Sequence, residues 1–399
     1  MPKPLLTISA YTLTNALGHG NREILDALRA RQTGLRHCDF DIAQLDTWIG
    51  RVDDVEQASL PPSLQSYDCR NNRLALLALE QDGFSETVNR CCKKYGADRV
   101  GLFLGTSTSG IHTTELAYRK HGQGKSPLPA DYSFEHTHSI HSLTDFVSHY
   151  LGIRGPMLTI STACSSSAKV FASAHRSIQA GLCDAAIVGG VDSLCLTTLY
   201  GFNALQLIAS DPCRPWDSRR NGINIGEAAG FALLERVDAG DGEVLLLGYG
   251  ESSDAHHIAS PHPQGLGAAL AMQGALDMAG VEASSIDYIN LHGTATRAND
   301  KSEDAALHQV FGEDIPPFSS TKGWTGHTLG AAGITEAVIC CLGLKEGFLP
   351  GTLNTEIADP ELSANLILEN CNAPIRHAIS NSFGFGGSNC SVLLGRNDT

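Results

Sequence analysis

Apolar positions along this chain fall into two rhythms that alternate. Short unbroken apolar runs, such as 99–105 (RVGLFLG) and 185–190 (AAIVGG), have the length and composition of buried strands. Further strands are predicted in LLTISAY near the N-terminus and at 226–237, 244–249, 286–291, 317–321, 378–383 and 391–394, most of them with polar residues among the apolar ones. Between them, apolar residues recur every three or four positions, which predicts helices over 21–31, 71–81, 144–151, 268–279 and 328–345. The stretch up to Pro62 reads as irregular, and 120–142, rich in Gly, Pro and His, reads as a long surface excursion. Alternation of this kind predicts mainly parallel strands covered by helices.

One segment organises the rest. In 156–182 (PMLTISTACSSSAKVFASAHRSIQAGL) a strand gives way to a small polar turn and then to a helix ending at Gly181. Cys164 is thereby placed at or near a helix N-terminus, where unpaired N–H groups and the dipole favour a thiolate and can also hold an oxyanion. Residues 317–344 (PPFSSTKGWTGHTLGAAGITEAVICCLG) repeat the plan of strand, polar turn and small-residue helix. Each copy is followed by a strand ending in glycines, AAIVGG and SNSFGFGG, so the chain reads as a duplicated α/β unit with its midpoint at the turn cluster 238–242 (DAGDG). The halves are 1–240 and 241–399. Their reactive turns fall at corresponding strand ends, where open α/β sheets put their sites.

Composition narrows the reading. A length of 399 residues with 42% hydrophobic content can bury a large core, and a formal net charge of −15 argues against a general nucleic-acid or anionic-membrane binder. No apolar run approaches the length of a membrane span, and the N-terminus, with one lysine and a broken apolar run, does not read as a convincing secretory signal. Twelve scattered cysteines without C-x-x-C spacing read as reduced thiols of a cytoplasmic protein.

Further candidate groups stand at the other predicted strand ends. His292 (NLHGTATRAND) follows the strand at 286–291. Lys322 and His327 flank a glycine-bearing turn, and the glycines of NSFGFGGSN let backbone N–H groups approach a ligand. That last stretch lacks the G-x-G-x-x-G order of a dinucleotide site. His136, His138 and His141, and the pair His256 and His257, lack partners to complete a metal site and read as solvated loop residues.

Cys164 in TACSSS, His292 in HGTAT, Lys322 and His327 in TKGWTGHTLGAAG, and NSFGFGGSN occur in the order found in the elongating, decarboxylating β-ketoacyl-[acyl carrier protein] synthases, and the chain resembles that family over nearly its whole length. The resemblance implies an α/β, thiolase-like, duplicated α-β-α-β-α layered fold with two pseudo-equivalent halves. It also implies a carrier-dependent acyltransferase that needs no metal or redox cofactor. By position, Cys164 is the acylated nucleophile, and His292 and His327 face a malonyl thioester. Lys322 and Glu303 are an ion pair bracing them, and Asp300 is a second supporting acid. Phe385 is an aromatic gate flanked by Phe383 and Gly384, and its N–H completes an oxyanion hole with that of Cys164. Thr108 and Phe202 wall the acyl pocket.

Several local strings, among them RNNRLALLAL, LGTSTSGI and TISTACSSSAK, are similar to ketosynthases of bacterial aryl-polyene clusters, against a housekeeping fatty-acid elongating enzyme as the alternative. The implied partners are acyl- and malonyl-loaded carrier protein and a second subunit, in a homodimer or a heterodimer with a chain-length-factor-like paralogue. Arg70, Arg73, Lys125 and Arg214 are the expected docking cations for the acidic carrier. Rival classes fit these residues less well. A coenzyme A-dependent thiolase needs a second cysteine as base, and Cys390 alternates into a strand. A non-catalytic chain-length partner lacks the nucleophile, whereas Cys164 is present. A cysteine hydrolase leaves the second histidine unexplained.

Overall fold

The computed structural model describes residues 5–121, 127–236, 243–363 and 365–397. Lys125 and the turn 238–242 lie outside these described residues. Ten strands form the path of the main sheet. Those of the first half are β1 (Leu6–Asn15), β2 (Val100–Gly105), β3 (Met157–Ile160), β4 (Ala185–Asp192) and β5 (Ala228–Arg236). The second half supplies β6 (Val244–Ser253), β7 (Tyr288–Asn290), β8 (Phe318–Ser319), β9 (His377–Gly384) and β10 (Ser388–Arg396). Outward from the central β1–β6 pair, one side runs β1-β5-β4-β2-β3 and the other β6-β10-β9-β7-β8. The duplication is therefore one of topology, with every strand of one half matched five places on in the other.

The sheet is mixed rather than mainly parallel. Parallel pairing is confined to β2 with β3 and β4, and to β7 with β8 and β9. The remaining pairs on the path are antiparallel. An apolar run carries no record of strand direction, and antiparallel neighbours need only a tight turn, such as the three residues Phe385–Gly387 between β9 and β10.

The helices that matter for the site are α1 (Arg70–Leu79), α2 (Ser166–Gln179), α3 (Leu196–Ala204), α4 (Leu266–Ala279), α5 (Arg297–Phe311) and α6 (Ala332–Glu346). Alternate side chains of the inner strands serve two cores, which explains their unbroken apolar runs. Ala186 and Val188 face a central core with α2 and α6, while Ala185 and Ile187 face an outer core with α1. A corresponding outer core under α4 and α5 covers β7 and β9 of the second half.

At the centre α2 and α6 touch closely enough that a Cβ on Gly333 would lie 2.4 Å from the Ala168 nitrogen. Small residues on both helices permit that approach, and it holds the two reactive turns together. The strand over Met157 and Leu158 is an edge strand, with those residues 41% and 44% exposed. Helices α3 and α5 are not legible as periodic patterns, because their apolar positions are interrupted by Thr, Gly, Asn and Asp. No helix among the described residues is long and apolar enough to cross a membrane.

Candidate active site

Strand ends from both halves meet in a cleft of about 740 Å³, open mouth included, lined by Cys164, His292, His327, Phe202, Phe383 and Phe385 together with glycines and small residues. Beyond β3 the chain turns sharply, with Ala163 in the left-handed region (φ +52°), and α2 begins two residues after Cys164. Serines stitch this elbow. Ser165 Oγ donates to the Thr162 carbonyl at 2.9 Å, and Ser166 Oγ donates to the Ala163 carbonyl at 2.6 Å.

The expectation of a lowered Cys164 pKa is corrected by the structure. Cys164 is 5% exposed, and burial pushes its thiol up to about 11, against the opposing pull of the Lys322 charge and the Phe385 N–H. It precedes the cap residue Ser165 instead of sitting in the first helical turn, so lost hydration outweighs the dipole.

His327 enters on the turn ahead of α6, and its Nε2 lies 3.1 Å from Cys164 Sγ. Its Nδ1 accepts the Leu329 N–H at 3.2 Å, which leaves the ring proton on Nε2, facing the sulfur. His292 follows β7 and meets His327 edge to face, ring centroids 5.3 Å apart. Sγ and one nitrogen from each ring lie within 4.8 Å of one another. Burial first, and then the neighbouring Lys322 charge, hold both imidazoles well below the usual histidine range. Both rings are therefore uncharged N–H donors at neutral pH.

Lys322 Nζ stands 3.5 Å from His292 Nδ1. Its ion-pair partner is Glu336 on α6, not Glu303. Glu303 instead receives the backbone N–H groups of His292 and Gly293, each at 2.8 Å, and so fixes the turn that presents the imidazole. Desolvation raises both carboxyls to about 7. The one signal for Glu336 in the sequence is a lone charge in the otherwise uncharged, mostly apolar ITEAVICC. Asp300 takes the Trp216 N–H at 3.0 Å and faces Arg220 at 3.2 Å, tying α5 to the 214–220 loop without touching either histidine.

Across the cleft, the N–H of Phe385 points at the Cys164 sulfur, and its ring lies 5.5 Å from that of Phe202 on α3. Phe383 flanks His292 at 5.9 Å. A side chain on Gly384 would meet the Thr162 carbonyl at 2.8 Å, so glycine is needed for this strand end to close on the nucleophile's turn.

Several expected site residues lie elsewhere. Thr108 is absent from the lining of this cleft; it borders a separate recess with Phe134, His138 and Ile140, and its hydroxyl donates to Asp192 at 3.0 Å. Arg70 is 7% exposed and engaged by the buried Glu227 and by Glu56, and Arg73 is bidentate to Asp68, so neither stands free for a carrier. Arg214 lies 3.6 Å from Asp211. Cys390 is fully buried, away from the cleft lining.

A duplicated layered fold with a cysteine and two neutral imidazoles at its strand ends defines a thiolase-like acyltransferase. The chain belongs to the beta-ketoacyl synthase family: the N-terminal domain profile of that family matches residues 26–239 and the C-terminal domain profile residues 244–356. It is 34% identical over 312 residues to 3-oxoacyl-[acyl-carrier-protein] synthase 2 of Staphylococcus aureus, covering 75% of this chain and 77% of that protein. The Vibrio cholerae protein of the same name is 30% identical over 420 residues, with 99% of this chain and 100% of the relative covered. Among solved structures, the ketosynthase ApeO in complex with its chain length factor ApeC from Xenorhabdus doucetiae is 37% identical with a TM-score of 0.89, covering 100% of this chain and 99% of that one.

Proposed function

We propose that this chain elongates carrier-bound acyl groups by decarboxylative Claisen condensation, with Cys164, His292 and His327 as its reacting groups. The observation that supports this most directly is the convergence of one sulfur with two uncharged N–H donors. In the first step the Cys164 sulfur attacks the acyl thioester carbonyl. A new C–S bond forms, the carrier sulfur departs, and the Cys164 proton passes to it. The backbone N–H groups of Cys164 and Phe385 hold the oxyanion.

In the second step a malonyl thioester loses carbon dioxide. The electron pair of the broken C–C bond moves into an enolate, whose oxygen takes N–H bonds from His292 and His327. Protonated imidazoles would gain in charge but would cost the second ring its place beside a like charge and Lys322, so neutral donors suit this spot. The enolate carbon attacks the acyl-cysteine, and collapse of the tetrahedral oxyanion releases a β-ketoacyl carrier and the Cys164 thiolate, which takes up a proton.

For substrate we propose an unsaturated, aryl-headed chain, with saturated fatty acyl groups as the second reading. The strings shared with aryl-polyene ketosynthases support the first, and the similarity to a ketosynthase solved with a chain length factor supports a two-subunit enzyme. A chain-length-factor-like paralogue is the proposed second subunit, and the exposed apolar edge strand at Met157 and Leu158 is a surface suited to it. Arg297, exposed between the cleft-lining residues Thr296 and Ala298, takes the place of Arg70 and Arg73 as the proposed carrier-docking cation. The cytoplasm is the location this reading implies.

Intact-protein mass spectrometry with aryl-polyenoyl and saturated acyl carriers tests the assignment. Acylation confined to Cys164 and faster with the aryl-headed donor is the expected result. Preference for saturated donors would move the enzyme to fatty-acid elongation. No acylation by any donor, with or without the co-expressed paralogue, would remove the catalytic reading.

A further inference from the structure

We propose that Asp192 is a positioning residue for the decarboxylation step, clamping the His327 turn of the second half to the strand-end turn 106–108 of the first. Asp192 ends β4 and is fully buried. Its Oδ1 accepts the Thr106 hydroxyl at 2.7 Å, the Ser107 N–H at 2.7 Å, the Thr108 N–H at 2.9 Å and the Thr108 hydroxyl at 3.0 Å. Its Oδ2 accepts the Ser107 hydroxyl and, from the other half of the molecule, the Gly330 N–H at 2.6 Å. A carboxylate sealed from water needs donors on all sides, and charge-assisted bonds are about twice as strong as neutral ones. Five of the six donors belong to one turn, so the sixth binds Gly330 to a rigid support.

What Gly330 carries gives that bond its consequence. Leu329 sits at φ +54°, a conformation that a branched residue keeps only where its surroundings impose it. In that conformation its N–H reaches His327 Nδ1, and this bond is what turns the Nε2 proton toward Cys164. Release of Gly330 lets Leu329 relax, frees the imidazole to change tautomer and rotate, and takes a donor away from the place where charge develops. The fit leaves no slack. A Cβ on Gly330 would stand 2.8 Å from Asp192 Oδ2 and 2.9 Å from the Ser107 nitrogen.

This inference rests on the ketosynthase reading for its kinetic test and on geometry alone for its second test. Asp192→Asn puts an amide where an anion met six donors, and Gly330→Ala keeps the anion but forces the turn away from it. Both full-length variants are assayed well below their measured unfolding temperatures, with the acyl carrier that acylates the parent enzyme and with malonyl carrier. The expected result in both is a loss of about ten- to a hundredfold in kcat for product formation, the scale for misplacing a reacting group by about 1 Å. KM for the malonyl carrier should stay within about threefold.

The substrate-free test follows alkylation of Cys164 by iodoacetamide across pH 7 to 10. Loss of the Nε2 proton from the sulfur moves the profile to higher pH in both variants. A purely structural role lowers the unfolding temperature and leaves kcat and the alkylation profile of the folded enzyme at parent values; that result in Gly330→Ala overturns the proposal even if Asp192→Asn does not fold. If the parent enzyme forms no β-ketoacyl product, the functional reading fails, and the alkylation profile still decides the clamp.

Discussion

Segments 157–179 and 318–346 occupy equivalent places in the two halves, each an end strand of the sheet path, a polar turn and a central helix, yet they carry different chemistry. The first turn delivers one sulfur on a left-handed elbow stitched by serine hydroxyls. The second delivers a buried cation and an imidazole, and its helix is buried from Ala332 through Leu344, with Glu336 as the one charge inside it. Helix α2 keeps Lys169 and Arg176 near the surface, paired with Glu251. A duplicated scaffold has here divided its labour. A nucleophile needs only placement, so one half solves it with neutral hydroxyls. Charge stabilisation needs a shielded field, so the other half accepts the cost of a buried ion pair.

That division is most exposed to a change of the sulfur itself. Cys164→Ala should lower β-ketoacyl product formation by about 10⁴-fold or more, measured as product per enzyme, because a removed nucleophile has no substitute in the cleft. Residual turnover near the parent rate would mean the two turns do not share one reaction.

Next in size is the ion pair. Glu336→Ala leaves Lys322 charged and buried without its partner and should cost about 3 to 5 kcal/mol in chemical denaturation, whereas Ser165→Ala at the first turn should cost about 1 kcal/mol. Equal costs would erase the contrast between a charged and a neutral turn.

His292→Ala should leave acylation of Cys164 within a few fold while slowing malonyl decarboxylation by about 10²-fold, the scale of one lost oxyanion donor. Acylation falling in step would place His292 with the nucleophile instead.

The smallest effect concerns the field of Lys322 on the opposite turn. The Cys164 thiol is held up to about 11, so its alkylation should climb about tenfold per pH unit from 7 to 9 with no plateau there. Lys322 pulls the thiol the other way, so Lys322→Met raises it further and slows alkylation at pH 8 several-fold. Faster alkylation would show that the cation does not reach the sulfur.

Much of this arrangement is legible in the order of residues alone. The strand, turn and helix around Cys164, the echo in 317–344 and the glycines of NSFGFGGSN depend on local preferences, and their elements lie within a few residues of the expected bounds. Charge pairing is not legible in the same way. Lys322 lies 19 residues after Glu303 and 14 before Glu336 in sequence, and only the packing of α6 under the His292 turn selects the second. Thr108 stands where the family resemblance puts a pocket-wall residue, but its hydroxyl is turned to Asp192 instead of the cleft. Arg70 looks like a surface cation on a helix and is buried because Glu227, 157 residues away, receives it.

The reactive residue types, the elements that carry them and the twofold plan are written in the order of amino acids, since they follow from spacing, backbone preference and the small side chains that allow α2 and α6 to touch. The protonation of the sulfur and the imidazoles, the partners of Lys322 and Glu303, and the clamp at Asp192 arise only in the folded chain. Each of those depends on desolvation and on distances between chain segments far apart in sequence, and neither quantity exists until the two halves close on one another.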